Sequence, residues 1–276
     1  MPDTKKNVSG VEVIEYYHRY VVCQLVLCSI PVILDIEPIL PGEGESIAAA
    51  RLLRRMLETQ PRMVDVFTFD ALYADANVLN ILNTARKWWV VVLKQEAREA
   101  YDEIDRLLSL TTPSQHTLRG ADVTIWDIPQ MTCWDTLNSH FRAVVSEERK
   151  WKTRLNKERK KEKYLETTHW RWLTNLPEIY SAPTVHLFGH ARWDIENRGF
   201  NELAGSCHFD HSFRHHPNAL LAMLLVISLA FNILYAFFER NLKPALRARI
   251  QTRAQLAVEL LVSLPRADHA YAPGHT

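Results

Sequence analysis

Apolar positions along this chain follow two different periods. From Val11 to Leu27 (VEVIEYYHRYVVCQLVL) and from Ile30 to Ile39 (IPVILDIEPI), β-branched and aromatic residues dominate, which predicts two paired strands. The stretch PGEGE then marks a turn, and from Ser46 to Gln60 apolar residues recur at helical spacing behind a serine N-cap. Met63 to Asp70 reads as a short strand ending in an acid, ANVLNILNTAR as a helix, and Lys87 to Lys94 as another buried strand. Strands alternating with helices predict an α/β sheet.

The texture changes at about Thr111. ADVTIWDIPQ, HFRAVVSEER and THWRWLTNLP read as strands carrying Trp126, Trp170 and Trp172, and helical periodicity returns only at His190. The organisation this predicts is a core from 1 to 110, a β-rich insertion from 111 to 180, returning core helices from 181 to 243 and a tail from 244 to 276. The strands at 11–27, 30–39, 63–70 and 87–94 are expected to share one sheet. Ala219 to Phe238 is a run of 20 residues without a formal charge, about the length that spans a bilayer. Ser228, Asn232 and Tyr235 interrupt it and both flanks are basic, so the preferred reading is a helix buried on all sides of a large core, with a single membrane span as the alternative.

Composition narrows the function classes. The chain has 276 residues, is 47% hydrophobic and 24% charged, and carries a formal net charge of +1, so it is globular and not basic throughout. Any nucleic-acid contact must therefore come from a local patch. Arg149 to Lys163 (RKWKTRLNKERKKEK) is such a patch, with nine basic residues against two acids. Arg149, Lys150, Lys152, Arg154 and Lys157 could track a DNA backbone with Trp151 packing on sugar or base, or the run could be a solvated hairpin tip. Cys23, Cys28, Cys133 and Cys207 show no paired spacing and read as reduced cytosolic thiols.

Several residues are candidates for chemistry. Asp70 stands at a strand end, where functional groups collect in open α/β sheets, although both it and Asp75 also suit a helix cap. Arg192 and Glu196 are four apart and share a helical face, beside a stripe of Trp193 and Phe200; Glu196 is either half of a surface ion pair or a metal-binding carboxylate. His208, His211 and His215, with Cys207 adjacent, fit either zinc binding or placement by packing and DNA contact. His18 and Arg19 read as strand-face residues.

FTFDALYAD, VVVLKQEAREAYDEIDRLL, HWRWLTNLP, ARWDIENRGFNEL and FDHSFRHHPNALLAMLLVISLAFNIL occur in an order that resembles the cut-and-paste transposases of bacterial insertion sequences, of the insertion-sequence-four type. The resemblance runs from about Tyr16 to Lys243. It implies a D-D-E catalytic domain: an α/β, ribonuclease H-like mixed sheet with helices on both faces, interrupted by a β-rich insertion. It implies Asp70 as the second acid, Glu196 as the third and Arg192 as the arginine one turn before it. It also implies Mg²⁺ or Mn²⁺ as cofactor, held by Asp70 and Glu196 in a two-ion mechanism at a phosphodiester. The partner is then double-stranded DNA at transposon ends, in the cytoplasm, with no small-molecule substrate and no membrane; a homo-oligomer is left open.

The departures from that pattern are specific. Gly189 stands where the group often has a tyrosine, and neither Leu203 nor Ala204 supplies its lysine. The first aspartate should lie on a strand upstream of 11–39, and neither Asp3 nor Asp35 suits it, so the chain is expected to begin after it. Two function classes follow, an impaired DNA transposase or a non-catalytic remnant that binds DNA or inhibits a complete transposase.

Overall fold

The computed structural model of the chain describes residues 2–6, 12–16, 18–94, 98–155, 160–207, 209, 216–250 and 252–267. Lys157, His208, His211 and His215 lie outside the described residues. The chain divides into two compact units, one of Met1–Val21 with Glu37–Arg192 and one of Val22–Ile36 with Trp193–Thr276.

A six-stranded mixed sheet organises the first unit. Its strands are β5 (Val66–Phe69), β6 (Trp88–Val92), β7 (Ser114–Leu118), β8 (Ala121–Met131), β9 (Phe141–Leu155) and β10 (Lys161–Thr174), in the order β5-β6-β10-β9-β8-β7. Only β5 and β6 are parallel, and every other neighbour is antiparallel. Earlier in the chain, β1 (Pro2–Lys6) pairs with β2 (Glu12–Tyr16), and β3 (Tyr20–Gln24) pairs with β4 (Ile33–Pro38), as separate two-stranded sheets.

The single sheet expected from 11–39, 63–70 and 87–94 therefore does not form. β6 is the run Trp-Trp-Val-Val-Val with no polar position, which is the composition of a central strand needing a partner at each edge. It finds β5 on one side and β10, from the β-rich segment, on the other, with Trp172 opposite Val92 and Thr174 opposite Val90.

Helices cover both faces of this sheet, as the fold class requires. α1 (Glu45–Thr59), α2 (Ala76–Thr84), α3 (Arg98–Leu108) and α4 (Ala182–Ala191) belong to this unit. β6 sends alternate residues to opposite sides. Val90 and Val92 pack with Val185 of α4 in one hydrophobic cluster, whereas the Trp89 indole donates to Asn83 Oδ1 of α2 at 2.8 Å. α1 starts at Glu45 behind Gly44 rather than behind Ser46, and buries Ala48, Ala49, Leu52, Leu53 and Met56. The β7–β8 hairpin turns on Arg119 and Gly120, both at positive φ (52° and 74°), the backbone that a two-residue turn needs to match strand twist.

In the second unit α5 (Asn201–Cys207), α6 (Pro217–Ala236), α7 (Pro244–Arg249) and α8 (Arg253–Ala267) follow a π-helical stretch, Ile195–Phe200. α6 is not buried on all sides. Leu220, Leu224, Ser228, Phe231 and Tyr235 form one buried stripe at helical spacing, while Leu225, Val226, Leu229 and Ile233 are exposed. α6 runs on into a second π-helical turn, Phe237–Asn241, and the apolar helix Pro217–Asn241 is long enough to cross a membrane by length and composition. Two of its polar residues are engaged in contacts with other elements: Asn232 exchanges two hydrogen bonds of 2.9 Å with the backbone of Ile33, and the Tyr235 hydroxyl donates to Glu202 at 2.6 Å.

Candidate functional site

Asp70 follows the last residue of β5, at the carboxyl ends of the parallel pair β5 and β6. Its Oδ1 accepts from the Ala71 N–H at 2.6 Å and so opens a short 3₁₀ turn, Ala71–Tyr73. Asp75, not Asp70, caps α2, accepting from the Asn77 N–H at 2.9 Å. Two cations face the Asp70 carboxylate: Lys94 Nζ is 3.9 Å from Oδ1, just past the end of β6, and Arg192 Nη1 is 3.6 Å from Oδ2. The Tyr73 hydroxyl donates to Glu45, and burial, that hydrogen bond and the carboxylates of Glu45 and Asp70 push its phenol above the ordinary value. Lys94 and Arg192 are cations of the kind that pair with an oxyanion such as a phosphate.

Arg192 is held there by α4, whose seat on the sheet is built from unusual parts. Gly189 lets the helix approach β10, because a Cβ at 189 would stand 2.2 Å from Trp172 Nε1. Trp172 meets the rings of His186 and His190 edge-on at centroid distances of 5.3 and 5.2 Å, and Trp170 stacks on Trp172 at 6.1 Å. Glu148 of β9 completes this layer. Its Oε1 lies 3.1 Å from His186 Nε2, 2.6 Å from His190 Nε2 and 3.4 Å from Ser146 Oγ. Burial pushes the Glu148 carboxyl up, but the hydrogen bonds from the two histidines outweigh it and hold the group at about 2. This trio was not foreseen, although HLFGH, with histidines four residues apart on a helix, carried the signal.

Glu196 belongs to the second unit and lies, half-buried, in the π-helical stretch Ile195–Phe200, a geometry often found at functional sites. Leu203 is fully buried, an apolar core position of its unit.

The basic run occupies the long β9–β10 hairpin. Its cations are partly offset by cross-strand acids: Lys152 Nζ is 2.6 Å from Glu166 and Arg154 Nε is 3.3 Å from Glu162. Arg149 pairs with Glu147 on its own strand at 2.7 Å, and the Lys150 ammonium donates to the Arg119 carbonyl at 3.3 Å. Trp151 lies opposite Leu165 in the register and is 68% exposed. The four cysteines are free thiols.

Comparison with protein-family models matches residues 33–233, most of the chain, to the transposase DDE domain. The chain belongs to this family. A search of curated proteins gave no match. Membership makes the chain a transposase with DNA as its partner and implies a divalent metal ion. The donors positioned around Asp70 do not by themselves make a two-ion site, since one carboxylate there already faces a lysine and an arginine. Gly189 has a structural reason in this transposase: the Trp172 indole fills the space a larger side chain would need.

Proposed function

We propose that this transposase is of the insertion-sequence-four type, acting in the cytoplasm on double-stranded DNA at insertion-sequence ends, with impaired cleavage and strand transfer. Asp70 and Glu196 are its metal-binding carboxylates and Arg192 its phosphate-holding arginine. Bound Mg²⁺ or Mn²⁺ would activate the attacking oxygen and stabilise the leaving one. The residues' own contribution is positional: Arg192 and Lys94 draw a backbone phosphate to the strand end, and Asp70 orients both cations. The observation that carries the reading is the placement of Asp70 at the carboxyl end of β5 with Arg192 Nη1 3.6 Å away.

The same observation favours the alternative, a DNA-binding form without catalysis. Two cations within 4 Å of the Asp70 carboxylate compete with a metal ion for it, so binding should survive where cleavage does not. The docking of Asn232 on Ile33 supports a protein-packed α6 over a membrane span. The test is direct: the purified chain with Mg²⁺ or Mn²⁺ is offered labelled duplexes taken from the DNA flanking its reading frame on each side. Cleavage lost in Asp70→Ala and Glu196→Ala establishes the enzyme. Retention without cleavage, weakening with salt, establishes the binding form, and neither would sink both readings.

A further inference from the structure

His186 and His190 are one turn apart on α4 and present their rings to the same side, with centroids 4.5 Å apart. Glu148, on β9, faces them both. One ligand-capable atom from each of the three lies within 4.8 Å of the other two. We propose that Glu148, His186 and His190 bind one zinc ion, which clamps α4 to the sheet and is separate from the ion implied at Asp70 and Glu196.

The donor set selects the metal. Two imidazole nitrogens with one carboxylate oxygen suit zinc, whereas Mg²⁺ takes oxygen ligands and keeps much of its water. Two histidines at this spacing on one helix, completed by a residue from elsewhere in the chain, is a recurrent zinc arrangement. A tetrahedral zinc with bonds of about 2.0–2.2 Å holds its ligand atoms about 3.3 Å apart. His186 Nε2 already stands 3.1 Å from Glu148 Oε1, and His190 Nε2, at 2.6 Å, has to swing outward by less than its own bond to the metal. With three protein ligands, a fourth position is left to water.

Access and surroundings fit the same assignment. The His186 side chain is 3% exposed and forms the inner wall, while His190 at 11% and Glu148 at 16% leave a route for an ion. Trp170 and Trp172 close the other side with apolar rings, which keeps the local dielectric low and strengthens the bonds between metal and ligand. The consequence falls on Arg192, two residues after His190. An ion on the last turn of α4 fixes the helix end from which this side chain reaches Asp70. His186, His190 and Glu148 are thus positioning residues, and the proposal does not depend on whether the chain cleaves DNA.

The test uses the full chain, stripped of metal by a chelator and titrated separately with Zn²⁺, Mg²⁺ and Co²⁺. One Zn²⁺ per chain should bind at micromolar concentration or tighter, raise the melting temperature and change tryptophan emission, with no such effect from Mg²⁺. Co²⁺ should give tetrahedral absorption bands without a thiolate charge-transfer band. Glu148→Gln and His190→Gln should each weaken Zn²⁺ binding at least about ten-fold. His190→Cys should retain binding and add the thiolate band, which decides the matter even if the Gln variants fold poorly. Absence of bound Zn²⁺, affinity unchanged in both Gln variants, or a cysteine variant without the new band would each overturn the proposal.

Discussion

Arg192 Nη1 and Asp70 Oδ2 stand 3.6 Å apart, one from the end of α4 and the other from the end of β5. The arginine side chain is 11% exposed and the aspartate 39%, so a mostly buried cation reaches into a half-open acid. Each therefore modulates what the other can bind. Asp70→Asn removes a negative charge that faces both Arg192 and Lys94, and should tighten retention of duplex DNA about two- to five-fold, the scale of a partly exposed ion pair. Arg192→Ala should weaken it. Filter binding at fixed salt reads both, and weaker binding by Asp70→Asn would mean that no phosphate approaches this pair.

The parts of this site that could be read from sequence were those whose signal is local. Asp70 ends an alternating strand, and that pattern survives in the structure as β5 with its acid at the sheet's edge. The β-rich texture after Thr111 was equally plain. Its sheet partner was not, because β6 looks alike whether its second edge meets β4 or β10, and only the register of Trp172 against Val92 decides. α6 was misjudged for a related reason. A run with almost no polar residues hides the difference between a helix buried all round and one buried along a single stripe. The cluster of Glu148 with His186 and His190 joins a strand to a helix far along the chain, and only the helical half had any spacing to show.

Gly189→Ala should destabilise the first unit by about 1–3 kcal/mol, the usual cost of forcing extra volume into a packed layer. The added Cβ would stand 2.2 Å from Trp172 Nε1, and neither the buried indole nor the helix backbone can yield freely. Trp172→Phe, which removes that edge of the ring, should recover part of the loss in the double variant. Thermal unfolding of the four proteins measures the coupling. Simple additivity would show that the contact is relieved some other way.

Glu43 gives a prediction in pH. The Arg51 guanidinium hydrogen-bonds its carboxylate, the Leu40 N–H donates to it at 2.8 Å, and together they hold the carboxyl below its usual value. A depressed carboxyl contributes stability that is fully present above the unfolded value, about 4.3, and is lost as pH falls through the folded one. Between neutral pH and about pH 5 wild type should therefore exceed Glu43→Gln by a constant margin, and that margin should shrink at lower pH. A margin independent of pH would show that the loop Leu40–Gly44 is held by something other than this charge.

The β9–β10 hairpin carries the last prediction, which separates a DNA-contacting arm from a solvated one. A net count of cations overstates its reach, because Glu166 and Glu162 lie within ion-pair distance of Lys152 and Arg154. Phosphate contact would have to draw those two cations away from their partners. Glu162→Gln and Glu166→Gln should then strengthen DNA retention and steepen its salt dependence by up to about one unit of slope each, since each frees one cation to displace a counterion. Lys150→Ala, whose ammonium meets only the Arg119 carbonyl among the contacts described, should lower that slope by about one. Trp151→Ala should reduce single-strand binding more than duplex binding, because an exposed indole offers its face to an unpaired base. The decisive comparison is the sign of the Glu→Gln effects: if removing the hairpin's acids leaves affinity and salt slope where they were, DNA does not reach the hairpin, and its charges serve solubility alone.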